Sequence, residues 1–326
     1  MSATPAIDVD AAEGFVRREA RLLDLRRFER AFAARPGRDG AAVPTDPDDG
    51  EHRVAVLAAL LAYANPDGGF AGILEPDLRT TRSQPQAAEL ALRVLDELGR
   101  HPRIDGPADA AVVALCDWLR TISGPDGGLP FTHPSARGHP AAPHWHEADG
   151  RSSSLNPTAA IVGLLHRRGV EHPWLDAARA CCWRLLGVGE QTDQPAEALD
   201  LYSVRAALWL LDPAVPDPPD PEALRERLAQ GVADHIALDP ALTEPGAPGH
   251  HIGPLEIAPW PTDPGRALLP PAAVEAALDA LAARQRPDGG WPVNFAPISA
   301  AATAEWRGWA TVHALLVLRA AGRLAD

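Results

Sequence analysis

The hydrophobic and polar positions of the chain follow a helical period almost throughout. Apolar residues recur every three to four positions in successive segments, and strict alternation of apolar and polar residues is nearly absent. The pattern predicts an all-α protein of about ten to twelve helices, joined by loops rich in Pro and Gly. Only 292–298 has the composition of a short extended segment. The main predicted helices span 11–34, 51–64, 84–98, 108–122, 157–168, 173–186, 196–211, 221–238, 271–284 and 303–321.

Two architectures can bury helices of this kind. Repeated helical hairpins form either an open superhelical solenoid or a closed α/α toroid. The helix predicted over 51–64 is apolar nearly all round, which suits an inner helix that outer helices and its neighbours cover. We therefore expect one closed toroid of helical hairpins over residues 51–326. Residues 1–50 are expected to form an N-terminal helix and loop that pack on it.

One short sequence recurs at three predicted helix ends. Pro-Asp-Gly-Gly occurs at 66–69, 125–128 and 287–290, and a large apolar residue follows each copy. In such a turn Pro fixes φ, Asp accepts a hydrogen bond from the backbone just ahead, and Gly supplies a positive φ. The three copies predict repeated helical hairpins. The connections that follow them, 75–84, 143–156 and 296–309, are then equivalent and should meet at one rim of a toroid.

Composition and charge exclude several classes of function. Of the 326 residues, 46% are hydrophobic and 23% are charged, as in a soluble globular protein, and no window resembles a membrane span. The net charge of -14 argues against nonspecific nucleic-acid binding, which needs a basic surface. The acidic N-terminus lacks the features of a signal peptide, so a cytoplasmic location is expected. The three cysteines lie in apolar helical patterns and are expected to be buried free thiols.

The last turn belongs to a longer motif. Gln285-x-x-x-Gly289-x-Trp291, preceded by an apolar helix, matches the QW repeat of squalene and terpene cyclases, and the two earlier turns look like degenerate copies. The chain thus resembles the prenyltransferase and squalene-oxidase repeat group over roughly residues 51–324. The resemblance implies an (α/α)6 toroid with an apolar, aromatic-lined axial cavity where isoprenoid chains bind. It also implies that the repeats themselves are structural.

The resemblance directs attention to acidic residues. Class II terpene cyclases protonate an alkene with the middle acid of an Asp-x-Asp-Asp motif, which must keep its proton in a dry cavity. Residues 46–49 match that string and make Asp48 a candidate acid, although a solvated loop or helix cap also explains them. Asn156 precedes the Pro-Thr-Ala step of a predicted inner helix. Asn cannot supply the proton, and a role as helix N-cap explains it.

The three equivalent connections hold most of the other candidate residues. Glu75 and Asp77 in the first connection and Glu305 in the third are candidate catalytic acids, with loop ion pairs as the alternative for the first two. Trp306 and Trp309 lie on one face of the last helix, where their rings could stabilise a cation or simply pack in the core. The remaining candidates for substrate binding are Arg79, Trp145, His146 and Trp260.

These residues predict an isoprenoid-handling enzyme that resembles a single-domain class II terpene cyclase. Its expected partner is an apolar or isoprenoid small molecule, and its expected chemistry is that of an isomerase, a lyase or a prenyl transferase. The alternative is a non-catalytic toroid that binds a lipid, a peptide or a protein. No cofactor is expected. A divalent metal held by His144 and His146 is the alternative to that expectation.

Overall fold

A computed structural model describes residues 7–32, 49–147, 150–189, 196, 198–247 and 249–324. The described residues form helices and turns, without a β-strand, so the all-α prediction is confirmed. None of the described helices combines the length and apolar character that a membrane-crossing segment needs. The α-helices are α1 Val9–Glu19, α2 Leu22–Phe32, α3 Gly50–Leu61, α4 Pro85–Leu98, α5 Asp105–Ile122, α6 Pro143–Glu147, α7 Leu155–Arg167, α8 Pro173–Leu186, α9 Leu201–Ala207, α10 Pro221–His235, α11 Pro254–Ile257, α12 Pro271–Ala283 and α13 Ala300–Ala320.

Two predicted helices differ from the observed ones. The segment predicted as one helix over 11–34 is broken at Ala20, whose backbone is extended, so that α1 and α2 are separate. The break makes room for α13, because a Cβ atom on Gly308 would lie only 2.8 Å from Ala20 Cα. The helix predicted over 196–211 begins at Leu201 and ends in a 3-10 turn, Leu208–Leu211. The candidate extended segment 292–298 is irregular.

Most of the helices pack around one large core, and a second, small buried cluster contains Leu78, Ala136 and Trp145. Helix α7 contacts α4, α8 and α9, and its residues 157–165 are all buried. Helix α13 contacts α1, α2 and α12, and α2 also contacts α3. Phe15 of α1 and Phe28 of α2 belong to the same buried cluster as α7 and α13. The described part of the segment 1–50 therefore belongs to the core, where it packs against both α3 and α13.

The three Pro-Asp-Gly-Gly turns have the same local structure. In each, the Asp side chain accepts a hydrogen bond from the N–H two residues ahead, and the following apolar residue is almost fully buried. In the second and third turns that apolar residue donates its N–H to a threonine of a following helix, Thr158 of α7 or Thr311 of α13. Trp291 also donates its ring N–H to Leu281 O at 2.8 Å. In these two turns, the hydrogen bond to the threonine links the turn to the helix that follows it.

We expect Gly289→Ala to lower the free energy of unfolding by about 2 to 5 kcal/mol. Gly289 has φ 91°, which disfavours any side chain, and a Cβ atom there would overlap the Ala11 carbonyl of α1. Urea unfolding would measure the loss. The control is Gly106→Ala, because a Cβ atom on Gly106 of α5 meets nothing within 4 Å. Equal stability of the two variants would contradict the close approach of α1 to the third turn.

Candidate functional site

The three connections after the turns contact each other through Asp77. The Asp77 side chain accepts hydrogen bonds from Ile298 N and from Trp306 Nε1, both at 2.9 Å, which links the first connection to the third. Asp77 O accepts a hydrogen bond at 3.0 Å from the N–H of Ala142, the residue immediately before the second connection. Since Asp77 is only 6% exposed, these bonds are shielded from water and fix the edge at which the connections meet.

A cavity of about 880 Å³ opens at this edge. Its lining comes from α2, α4, α9 and α13 and from all three connections, so that residues from the whole length of the chain surround one space. The volume falls within the range of about 300 to 1,000 Å³ that is usual for small-molecule sites. Charged and aromatic side chains are both present in the lining.

A run of aromatic rings forms one part of the lining, here called the aromatic wall: Phe295, Trp306, Trp309, His313 and Trp260. Successive ring centroids lie 5.3, 5.8, 4.6 and 5.6 Å apart, and the contacts are edge-on except for the stacked pair Trp309 and His313. Burial lowers the pKa of His313 to about 3, with the positive charges of nearby arginines adding to the effect. The imidazole is therefore neutral at ordinary pH, and the aromatic wall carries no formal charge.

Glu75 is the acid of the cavity that holds its proton most strongly. It is 8% exposed, and its Oε1 accepts a hydrogen bond from Asp77 N at 3.2 Å. Burial raises the pKa of Glu75 to about 7, and the charge of Asp77 acts in the same direction, against the hydrogen bond from Asp77 N and the charges of Arg21 and Arg205. Glu75 can thus be protonated near neutral pH, which makes it able to donate a proton inside the cavity.

Five arginines line the cavity, and four of them have a carboxylate partner. Within the described residues, Arg205 has no ion pair, and its buried Nε–H has no hydrogen-bond acceptor. Burial lowers the pKa of Arg205, and the neighbouring charge of Arg93 adds to this shift. The four paired arginines are Arg21 with Asp24 at 2.9 Å, Arg27 with Glu97 at 2.6 Å, Arg93 with Glu89 at 2.7 Å and Arg284 with Glu244 at 3.0 Å.

Several residues predicted from the sequence lie elsewhere. Glu305 and Arg79 form an ion pair at 2.6 Å that links α13 to the first connection, and neither residue is in the cavity lining. His146 is exposed and also lies outside the lining. Trp145 does line the cavity, 7% exposed, and stacks on Phe131 with 5.0 Å between the ring centroids.

The two acid-motif candidates have different outcomes. Asp48 lies outside the described residues. Asn156 lines the cavity, and its torsions within α7 are non-helical (φ -96°, ψ 113°), as expected for a residue that directly precedes the helical turn starting at Pro157. Its Oδ1 accepts a hydrogen bond from Gln86 Nε2 at 3.3 Å. Asn156 thus places a neutral amide in the cavity lining.

His144 and His146, the histidines considered for a divalent metal, both lie on α6. No group of three His, Cys, Asp or Glu side chains within the described ranges is placed to hold a metal ion. The His144 ring packs on Trp145, with 4.7 Å between the centroids.

The cavity also holds residues that were not predicted from the sequence. Arg205 and the pair of Glu89 and Arg93 lie on helices whose other residues are mostly apolar, as does His313 of the aromatic wall. Trp209 lies near the guanidinium of Arg93, 5.2 Å from the ring centroid. The signal that identifies them is a charged or imidazole side chain within an apolar helical segment, because such a side chain needs a polar partner or a cavity.

Protonation of Glu75 predicts a pH-dependent stability. The folded chain binds this proton with a pKa near 7, whereas the ordinary value is 4.5, so the folded state holds more protons between these two pH values. The stabilising contribution is complete below pH 4.5 and disappears as pH rises through about 7, a loss of about 3 kcal/mol. Urea unfolding of the wild type and Glu75→Gln across this window measures it. A constant difference between the two proteins would contradict the prediction.

Comparison with known proteins gives a structural likeness. No protein-family model matches the sequence, and no curated protein matches it. Among solved structures, the fold is similar to that of a protein from Actinoplanes, with a TM-score of 0.52 and 19% sequence identity. The similarity covers 96% of this chain and 99% of that one. At this identity the likeness shows a common fold along nearly the whole length of both chains.

Proposed function

We propose that this protein is an isoprenoid-handling enzyme of the class II cyclase type, which starts its reaction by protonating an alkene with Glu75. The observation that supports this most directly is the position of Glu75: a buried carboxyl with a pKa near 7 in the lining of a large, partly aromatic cavity. A carboxyl that stays protonated near neutral pH is what a proton-initiated reaction needs.

The proposed first step is balanced without a cofactor. The O–H bond of Glu75 breaks, its proton adds to one alkene carbon, and the π electron pair forms the new C–H bond. A carbocation remains on the other carbon, beside the Glu75 carboxylate. The cation is consumed by attack of a second alkene of the same molecule and finally by loss of a proton, so that the net reaction is an isomerisation.

The aromatic wall and Asp77 have supporting roles in this proposal. Neutral rings of Trp306, Trp309 and Trp260 stabilise a nearby cation by about 0.5 to 2 kcal/mol each without reacting with it. Asp77 is a positioning residue, because its carboxylate is occupied by Ile298 N and Trp306 Nε1 while its own N–H holds Glu75. Of the two acids predicted in the first connection, Glu75 is therefore the one that donates the proton.

The proposal includes a closed (α/α)6 toroid with the cavity on its axis. Two observations support closure. Helices α1 and α2, at the start of the chain, pack on α13 at its end, and Gln285 Oε1 accepts a hydrogen bond from Asp8 N at 2.8 Å. The three connections also meet at one edge of the cavity through Asp77.

Incubation in D₂O tests the proposed function. The purified protein is supplied with squalene, farnesyl diphosphate, geranylgeranyl diphosphate and the corresponding alcohols and carboxylic acids, and products are analysed by mass spectrometry. We expect a cyclised isomer that contains deuterium at the carbon protonated by Glu75. If no substrate gives a deuterated product, proton-initiated catalysis is excluded for this panel. Retention of an apolar ligand in native mass spectrometry would then favour the non-catalytic alternative.

A further inference from the structure

Arg205 has a positive charge for which the described part of the chain supplies no ion pair, and the charges of Glu89 and Glu75 offset it only in part. It extends from α9 into the cavity lining, its Nε–H is buried without an acceptor, and Arg93 lies close enough to repel it electrostatically. An unpaired cation that is shielded from water costs free energy, which a hydrogen-bonded anion recovers. The other four lining arginines show the usual solution, a carboxylate from the same chain.

The surrounding charges limit what the missing anion can be. The chain contains no lysine, and Arg205 is the one unpaired arginine of the lining within the described residues. Glu89 already balances Arg93, and Asp77, Asp200 and Glu256 add negative charge to the same cavity. A diphosphate, with several negative charges, would meet a single available cation among these carboxylates. A carboxylate brings one charge, and its two oxygens match the planar fork of a guanidinium.

We propose that the ligand of this cavity is a hydrocarbon chain that ends in a carboxylate, and that Arg205 binds this carboxylate. This inference rests on the proposed function, which makes the hydrocarbon chain of the ligand an isoprenoid. It adds the identity of the ligand's head group, a carboxylate. The hydrocarbon part lies against the aromatic wall, where burial of apolar surface supplies most of the affinity. Arg205 fixes which end of the molecule lies at α9.

A carboxylate at Arg205 also favours the reactive form of Glu75. The charges of Arg205 and Arg21 both oppose protonation of Glu75, while that of Asp77 promotes it. A bound anion offsets the charge of Arg205 and leaves Glu75 with a stronger tendency to hold its proton. Binding of the ligand carboxylate at Arg205 and protonation of Glu75 therefore favour each other.

Binding of three ligands with the same chain and different head groups tests the proposal: farnesoic acid, farnesol and farnesyl diphosphate. Quenching of tryptophan fluorescence gives each Kd. We expect the wild type to bind the acid about 10- to 100-fold more tightly than the alcohol, and no more weakly than the diphosphate. Arg205→Gln should remove the preference for the acid and leave the Kd of the alcohol unchanged. The control is Arg323→Gln, which removes only exposed ion pairs with Glu275 and Asp279.

The melting temperature of the unliganded protein separates a binding role from a structural one. Because Arg205 lacks a partner, Arg205→Gln should melt at a higher temperature than the wild type, and it should lose the rise in melting temperature that farnesoic acid causes. Arg205→Lys should keep the preference for the acid in part, since it keeps the charge and loses the fork. A lower melting temperature for unliganded Arg205→Gln would show that the arginine stabilises the fold and would overturn the proposal.

The ligand series also separates this inference from the proposed function. If the acid and the alcohol bind the wild type equally, or if Arg205→Gln keeps the preference, the carboxylate proposal is wrong even if squalene is cyclised. If the acid binds through Arg205 but no deuterated product forms in D₂O, the carboxylate site stands and proton-initiated catalysis fails. Tighter binding of the diphosphate than of the acid would identify a polyanion site and overturn the proposal.

Discussion

Glu75→Gln is expected to reduce product formation by about 10²- to 10⁴-fold, because the amide keeps the size of the side chain and cannot donate a strong acid's proton. Ligand binding should change little, since the variant keeps the aromatic wall and Arg205. The expected pattern is therefore a large loss of kcat with a small change in KM. Steady-state assays with the substrate that gives a deuterated isomer would measure both constants.

The control for this substitution is Glu226→Gln, which changes an exposed acid of α10 far from the lining residues. It should retain the activity of the wild type. Activity of Glu75→Gln at the wild-type level would exclude Glu75 as the proton donor. The wild-type rate should also fall as pH rises through about 7, because Glu75 then loses its proton.

Arg27→Met is expected to lower the free energy of unfolding by about 3 to 5 kcal/mol. Arg27 is 3% exposed and joins two carboxylates, Asp24 at 3.1 Å and Glu97 at 2.6 Å. Methionine preserves the apolar stem of the side chain but leaves both carboxylates without this cation, and Asp24 is fully buried. The effect would appear as a lower urea midpoint with an unchanged m-value.

The neighbouring Arg26→Met is the matched control. Arg26 is on the same helix and also pairs with a carboxylate, Glu29 at 2.6 Å, but its side chain is 41% exposed. Water replaces the lost interaction there, so we expect a change below about 1 kcal/mol. Similar losses for both variants would contradict the burial of the Arg27 network. Arg27 and Arg205 line the same cavity, yet their removal should change stability in opposite directions, because only Arg27 has partners.

The helices and the repeated turns could be predicted from the sequence because they depend on residues that are close together along the chain. Helical periodicity predicted the all-α fold, and the Pro-Asp-Gly-Gly turns each depend on an Asp and Gly residues within a few positions of one another. The equivalence of the turns also directed attention to Glu75, Asp77 and Trp306, which the structure brings to the cavity. The break at Ala20 was missed, because it results from the close approach of Gly308 in a distant helix.

The other residues of the cavity could not be predicted, because their place in the lining depends on packing between helices that are distant in sequence. Arg205 and His313 lie in apolar helices, where the sequence pattern cannot show whether a polar side chain faces a core partner or a cavity. That distinction is set by how α4, α9 and α13 are placed around the space between them. The same reason explains Glu305, which is near the predicted edge in sequence but points to Arg79 outside the lining.

The hydrogen bond between Asp77 and Trp306 has a consequence for the order of folding. It joins residues 229 positions apart, and Gln285 contacts Asp8 across 277 positions. During synthesis α1 and α2 leave the ribosome long before their partner α13 exists, so they cannot reach their final packing until α13 has been made. Contacts of such high sequence separation slow folding and prolong the exposure of apolar surface. The cavity is thus one of the last features of the nascent chain to form.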